Sequence, residues 1–357
     1  MTDTSLWQTP IPALDQNHLA QARQRQDGLT KPPGSLGRLE QLAITLCAQQ
    51  ACERPSLERV RIAVFAADHG VCAERVSAFP QAVTGQMIAN FVAGGAAISV
   101  MARHLGAELE VINLGTATPP PASQGVVDER IAAGTANLAR GPAMSHAQLQ
   151  AALAAGDRAA GRAAEGGAQL LIGGEMGIGN TTSAAAVACA LLAEPAERLA
   201  GRGTGLGDDG LHHKIQVLET ALARHGESRE PLTVLASLGG FEIAALAGFL
   251  LGGAARRLPI LVDGFIVSVA ALAAVRMQPD LLAWLHFGHQ SAEPGHARVL
   301  RALQAQPLLN LGMRLGEGSG AAVAVSLMRA ACALHNGMAS FAEAGVSESH
   351  PAAGDAP

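Results

Sequence analysis

Short apolar runs alternate with longer stretches of helical period through most of this chain, and that alternation limits the fold more than any other feature. The runs at 61–67, 108–114, 169–172, 259–262 and 284–287 read as strands. Between and after them, 84–104, 146–165, 180–192, 209–225, 241–256 and 266–277 read as helices, and 321–334 continues the pattern. Strand, helix and strand repeated in this way imply an α/β fold with a mainly parallel sheet covered on both faces. Ligands of such sheets bind beyond the carboxyl ends of the strands. Asp68, His69, Glu175, Asp263 and Gly264 fall at those ends. Residues 1–55 and 322–345 carry no strand signal and predict a small helical domain built from both chain ends. Residues 56–321 then form the large α/β domain, and the polar stretch 346–357 reads as a disordered tail.

Composition removes several function classes. The net charge is −5 and no basic run exists, which argues against nucleic acid and anionic membrane as partners. Aromatics are only 3%, too few for a base-stacking platform, whereas glycine, at 41 of 357 residues, exceeds the usual ~7% and suits close packing and ligand loops. The most apolar stretch, 258–275, is interrupted by Asp263 and Gly264, so it predicts a buried strand and a core helix and no membrane span. Residues 1–12 have neither a basic segment nor a long apolar one, so no signal peptide is expected. The five cysteines are odd in number and lack a CxxC, a reduced, cytoplasmic pattern. His286, His289 and His296 are the best metal candidates, but they lack an HExxH helix and a closing carboxylate, so neither metal nor cofactor is expected.

The richest motif is Gly173-Gly174-Glu175-Met176-Gly177-Ile178-Gly179-Asn180-Thr181-Thr182, which follows a strand and opens a helix. Glycines let backbone amides approach an anion, and a helix N-terminus favours negative charge. No Lys-Ser/Thr follows, so this is not a Walker A loop. The alternative is a tight turn capped by Asn180 or a threonine. A second glycine run, 201–210, matches GxGxxG formally but follows no strand, which removes the dinucleotide reading. It feeds the helix carrying Lys214, either a solvated lysine or a phosphate contact. Asp68-His69-Gly70 is an acid–base candidate or a side-chain-stabilised turn. Residues 31–40, KPPGSLGRLE, form a rigid turn into a helix. Glu317 stands between Gly316 and Gly318 just before the helix at 321–334. It is either a general base against a flat ligand or a carboxylate complementing that helix dipole.

Six segments taken in order resemble the nicotinate-nucleotide–dimethylbenzimidazole phosphoribosyltransferases: KPPGSLGRLE (31–40), AADHGV (66–71), GEMGIGNTT (174–182), LHHKI (211–215), LVDGF (261–265) and LGEGSGAA (315–322). The resemblance implies a Rossmann-like sheet, a small helical domain from both termini and a homodimer. It also implies transfer of phosphoribose from nicotinate mononucleotide to 5,6-dimethylbenzimidazole, with inversion, for the nucleotide loop of cobalamin. Carried over by motif, Glu317 is the catalytic base. Gly177, Gly179, Asn180, Thr181, Thr182 and Lys214 hold the phosphate end, Glu175 lines the same pocket, and Gly264 and Ser291 contact the mononucleotide. Ser77 and Gln86 are the nearest polar candidates for the benzimidazole. A dehydrogenase would need a strand before GxGxxG, and a nucleotide sensor would leave Glu317 unexplained.

Overall fold

The computed structural model describes residues 9–118 and 125–347. The expected tail lies almost wholly outside them. Six strands, β1 (Val60–Ala67), β2 (Glu108–Gly115), β3 (Val126–Asp128), β4 (Leu170–Met176), β5 (Ile260–Val262) and β6 (Leu285–Phe287), form one sheet of order β3-β2-β1-β4-β5-β6. All pairings are parallel. The order reverses between β1 and β4, the position at which open parallel sheets leave a crevice for ligands.

The helices are α1 (Gln16–Gly28), α2 (Arg38–Gln50), α3 (Ala82–Ala93), α4 (Ala97–Leu105), α5 (His146–Glu165), α6 (Asn180–Leu192), α7 (Asp208–His225), α8 (Pro231–Leu238), α9 (Phe241–Ala255), α10 (Phe265–Met277), α11 (His296–Ala302), α12 (Ser319–Gly337) and α13 (Phe341–Ala344). Serine and acidic caps set several starts. Ser145 closes a capping box with Gln148 on α5, and Glu230 accepts from Leu232 N and Thr233 N ahead of Pro231 on α8. Apart from Glu242 in its first turn, α9 is apolar all round, and it is buried along nearly its whole length. It meets α5 closely enough that a Cβ at Gly248 would collide with the Leu153 carbonyl. Phe249 also packs edge-on against Phe65 of β1, ring centres 5.6 Å apart.

Four details differ from the sequence reading. The helix expected at 84–104 is broken at Gly94, φ 86°, where Arg103 reaches back to the Gly94 carbonyl. The apolar run Ala82–Leu105, whose length and hydropathy suit a membrane span, is therefore two short helices of 12 and 9 residues. β4 continues through Gly173–Met176, because these residues pair in register with Ala63–Ala66 of β1, leaving only Gly177–Gly179 as loop. β3 and α8 carried too short a pattern to be read.

The chain divides into two compact units, residues 1–13 with 58–325 and residues 14–57 with 326–357. Residues 9–13 group with the sheet-bearing unit, where the sequence reading put them with the helices. Gln278 donates to the Thr9 carbonyl and Trp284 to the Pro12 carbonyl. In the helical unit, Ala22, Ile44 and Cys47 form an apolar centre. His335 bridges Gln26 and Cys47, and Arg25 caps the end of α12 through the carbonyls of His335 and Met338. Lys31 is buried against Glu40 at 3.0 Å, and Glu40 also accepts from Leu36 N. These contacts close the KPPGSLGRLE turn on itself.

Candidate active site

The carboxyl ends of β4 and β5, with the segment that follows β6, open into a cavity of about 380 Å³ within the sheet-bearing unit. Two helices aim their N-termini at it. α6 starts after Gly179, φ 96°, and α10 after Gly264, and neither has a side-chain cap. The first amides of α10, those of Phe265, Ile266 and Val267, belong to residues that line the cavity. The first amides of α6 bond the Gly177 and Gly179 carbonyls, so the α10 amides and the two helix dipoles are what suit this part of the cavity to an anion. A Cβ at Gly179 would lie 2.7 Å from Cys72 Sγ, so both conformation and space require glycine there.

Glu317 and Glu175 line the same cavity. Gly316, Glu317 and Gly318 all have left-handed backbones, with φ 92°, 65° and 89°. A left-handed glutamate is costly and clusters at functional sites. A Cβ at Gly174 would collide with the Glu317 carbonyl, so β4 needs glycine for this loop to lie against it. The Glu317 carboxylate accepts from Ile98 N at 3.2 Å, in the first turn of α4. It thus does complement a helix dipole, but of α4 and not of the helix it precedes. That role at α12 belongs to Asp263, which accepts from Gly318 N at 3.2 Å and Ala321 N at 2.8 Å. Burial raises the Glu317 pKa above the ordinary carboxylate value, with Asp263 adding to the rise and the Ile98 amide opposing it. Burial lifts Glu175 further, helped by Glu242 and Asp263 and opposed by donors from Asn180 and the Glu317 amide.

Of the residues expected at the site, Glu317, Glu175, Gly177, Asn180, Thr181, Gly264 and Ser291 line this one cavity. Gly179, Thr182 and Lys214 do not. Gly179 sets the turn, and Thr182 is fully buried inside α6. Lys214 is fully buried and not solvated, its ammonium donating to Thr181 Oγ1 at 2.8 Å and the Gly201 carbonyl at 3.0 Å. Burial lowers its pKa to about 8, with Glu293 opposing. Ser77 stands beside the cavity, 3.4 Å from Thr204 Oγ1, and Thr204 itself lines it. Gln86 is exposed and outside the lining; α3 presents Val83 and Met87 instead, four residues apart on one face, with Phe79 before them.

The sequence reading missed Glu293, Arg314 and Thr204. Nothing local marks them, although the run Ser291 to Glu293 follows a strand end. Asp68 proves a turn former, its carboxylate accepting from Ala117 N at 2.8 Å, while His69 bonds Glu242 at 2.6 Å out of solvent reach. His296 accepts from Ser291 N at 2.8 Å through Nδ1, so its other nitrogen carries the proton toward Ser268. Burial, with His289, holds its pKa near 3. That ring has no lone pair left for a metal, and no group of three or more metal-ligating side chains exists among the described residues.

Comparison with known proteins fits this geometry. A phosphoribosyltransferase family model matches residues 11–346. Nicotinate-nucleotide–dimethylbenzimidazole phosphoribosyltransferases of Pseudomonas putida and Pseudomonas aeruginosa are each 60% identical over 96% of this chain and 98% of their own. The crystal structure of the corresponding Thermus thermophilus enzyme superposes with a TM-score of 0.89 at 47% identity, covering 94% of this chain and all of that one. A second Thermus thermophilus structure, of CobT, gives 0.90 at 49% identity, covering 93% and 100%. With relatives this similar over nearly its full length, the chain belongs to the nicotinate-nucleotide–dimethylbenzimidazole phosphoribosyltransferase family.

Proposed function

We propose that the chain transfers the phosphoribosyl group of nicotinate mononucleotide to 5,6-dimethylbenzimidazole, giving α-ribazole 5′-phosphate and nicotinate for the cobalamin nucleotide loop. One observation carries the reading. A single cavity holds the first residues of α10 and the dipole end of α6 together with a buried carboxylate, Glu317, whose pKa burial has raised. The 5′-phosphate takes the amide end, near Asn180, Thr181, Gly264 and Ser291. The apolar wall of Phe79, Val83 and Met87 accommodates a flat ring.

The chemistry needs little more. A benzimidazole nitrogen lone pair attacks C1′ opposite the β-linked nicotinate. The C1′–N bond breaks, and its electron pair neutralises the pyridinium. The attacking ring becomes cationic, and its remaining N–H gives its proton to Glu317. Inversion at C1′ yields the α-nucleotide. A raised pKa suits Glu317 to a base that must later release its proton. Holding both rings in line supplies much of the rest. Phe79 and Leu315 expose apolar surface at the cavity rim, which supports a homodimer in which a second copy covers it. The test is direct: purified protein is mixed with nicotinate mononucleotide and dimethylbenzimidazole, and free nicotinate is followed with time. Absence of release under conditions where the protein is folded would remove this reading.

A further inference from the structure

Negative side chains dominate the cavity lining. Glu175, Asp263, Glu293 and Glu317 all belong to it, against one arginine or lysine among the described residues, Arg314. A phosphate dianion entering such a lining would be repelled at close range unless a cation stood beside it. Lys214 does not fill that place. It is fully buried outside the lining, and its ammonium already donates to Thr181 Oγ1 at 2.8 Å and the Gly201 carbonyl at 3.0 Å. Glu293 feels both Lys214 and Arg314, whose charges oppose the rise in its pKa caused by burial. One carboxylate balances one of these two cations. The remaining positive charge reaches the cavity surface only at Arg314.

Arg314 is also held where an anion is favoured. Its Nη1 donates to the Gly203 carbonyl at 3.1 Å. Gly203 lies over the first turn of α6: a Cβ there would come 2.8 Å from Thr181 Oγ1 and 3.7 Å from Lys214 Nζ. The guanidinium is thereby tethered near the positive end of the α6 dipole. A guanidinium presents five N–H donors in a planar fork, and one bond to Gly203 leaves others for phosphate oxygens. The residue is exposed, so these donors meet the ligand from the rim. We propose that Arg314 is the phosphate-binding cation of this site, with Lys214 acting from behind through Thr181. The inference rests on the mononucleotide reading above.

Nicotinate mononucleotide carries a second anion, the nicotinate carboxylate, so the test needs three ligands. Nicotinate mononucleotide, nicotinamide mononucleotide, which lacks the carboxylate, and nicotinate riboside, which lacks the phosphate, are titrated calorimetrically without benzimidazole. A ligand too weak for direct titration is read by its displacement of nicotinate mononucleotide. The proteins are the parent, Arg314→Ala and Arg314→Lys, and melting temperature establishes that each is folded. Arg314→Ala should lose about 10–100-fold in affinity for both mononucleotides and stay within about threefold of the parent for the riboside. Arg314→Lys, which keeps the charge but not the fork, should recover part of that loss. Added salt should weaken mononucleotide binding more in the parent than in Arg314→Ala. A riboside that weakens as much as the mononucleotides would reduce Arg314 to a brace for the loop at Gly203. Loss confined to the two ligands with a carboxylate would assign it to the nicotinate ring, and three unchanged affinities would leave it a solvated arginine. Each of these results overturns the proposal. A folded parent that binds no mononucleotide would sink the proposed function as well, so the two failures are distinct.

Discussion

Glu317 does two things with one carboxylate: it satisfies the first turn of α4 through Ile98 N, and it faces the cavity. The two roles separate by substitution. Glu317→Gln keeps an acceptor for Ile98 but is no base, so nicotinate release should fall by about 10²–10⁴ while the melting temperature hardly moves. Glu317→Ala should lose the cap as well, about 0.5–2 kcal/mol of stability. A fully active glutamine variant would remove Glu317 from the chemistry. Because the base must be ionised, activity should decline on the acid side at a pH above the ordinary carboxylate value of 4.5. Glu175 offers a stability counterpart. Its raised pKa means the folded state holds a proton that the unfolded state has released, so stability falls as pH rises from 4.5 through the folded value. Glu175→Gln cannot titrate and should therefore gain stability relative to the parent at pH 8 but not at pH 4. Thermal melts of both proteins at the two pH values check the sign. Lys214, with a pKa of about 8, should tie mononucleotide affinity to pH. Affinity should weaken as pH rises through that value, and Lys214→Ala should be both weaker, by roughly 10–100-fold, and flatter with pH. Calorimetry across pH 7–9 would find no such slope if Lys214 only braces Thr181.

Helices α5 and α9 touch at glycine. A Cβ at Gly248 would meet the Leu153 carbonyl, and one at Gly156 the Ala245 carbonyl. Both obstacles are backbone, which cannot turn aside as a side chain can. Gly248→Ala should therefore force the helices apart, at a cost of roughly 1–3 kcal/mol or more. Urea unfolding would refute the close crossing if the alanine variant were as stable as the parent. Helix α9 also carries Glu242, whose charge acts on Glu175, so the same variant should disturb the site as well as the fold. Helices α6 and α10 work differently. Neither start has a side-chain cap; the first amides of α6 bond the Gly177 and Gly179 carbonyls, while α10 opens with Phe265, Ile266 and Val267, all in the cavity lining. Such α10 donors accept a phosphate without a metal ion.

For the whole molecule, the substrate chemistry proposed here needs no divalent ion, since the leaving group is a pyridine and not pyrophosphate. EDTA should leave nicotinate release intact; loss of turnover restored by magnesium or zinc would contradict the mechanism. The sequence by itself determined the strands, most helices and hence the parallel sheet, because period is a local property carried by a dozen residues at most. It also put Glu175, Asp263 and Gly264 at strand ends, since these can be found without knowing what the strands pair with, while Glu317 stood out only by its flanking glycines. Tertiary structure decided the rest. Gly173 and Gly174 have poor strand propensity, and only pairing with β1 makes them strand. Glu317 meets Ile98 across 219 positions, and no spacing rule spans such a gap. Lys214 reads as a surface lysine until the loop at Gly201 closes over it, and Gln86 reads as a site residue until α3 turns it outward. Glu293 joins the cavity lining only through the fold, which sets it beside Lys214 and Arg314. Burial and charge at a site are set by segments far apart in the chain, and those distances are known only after the chain has folded.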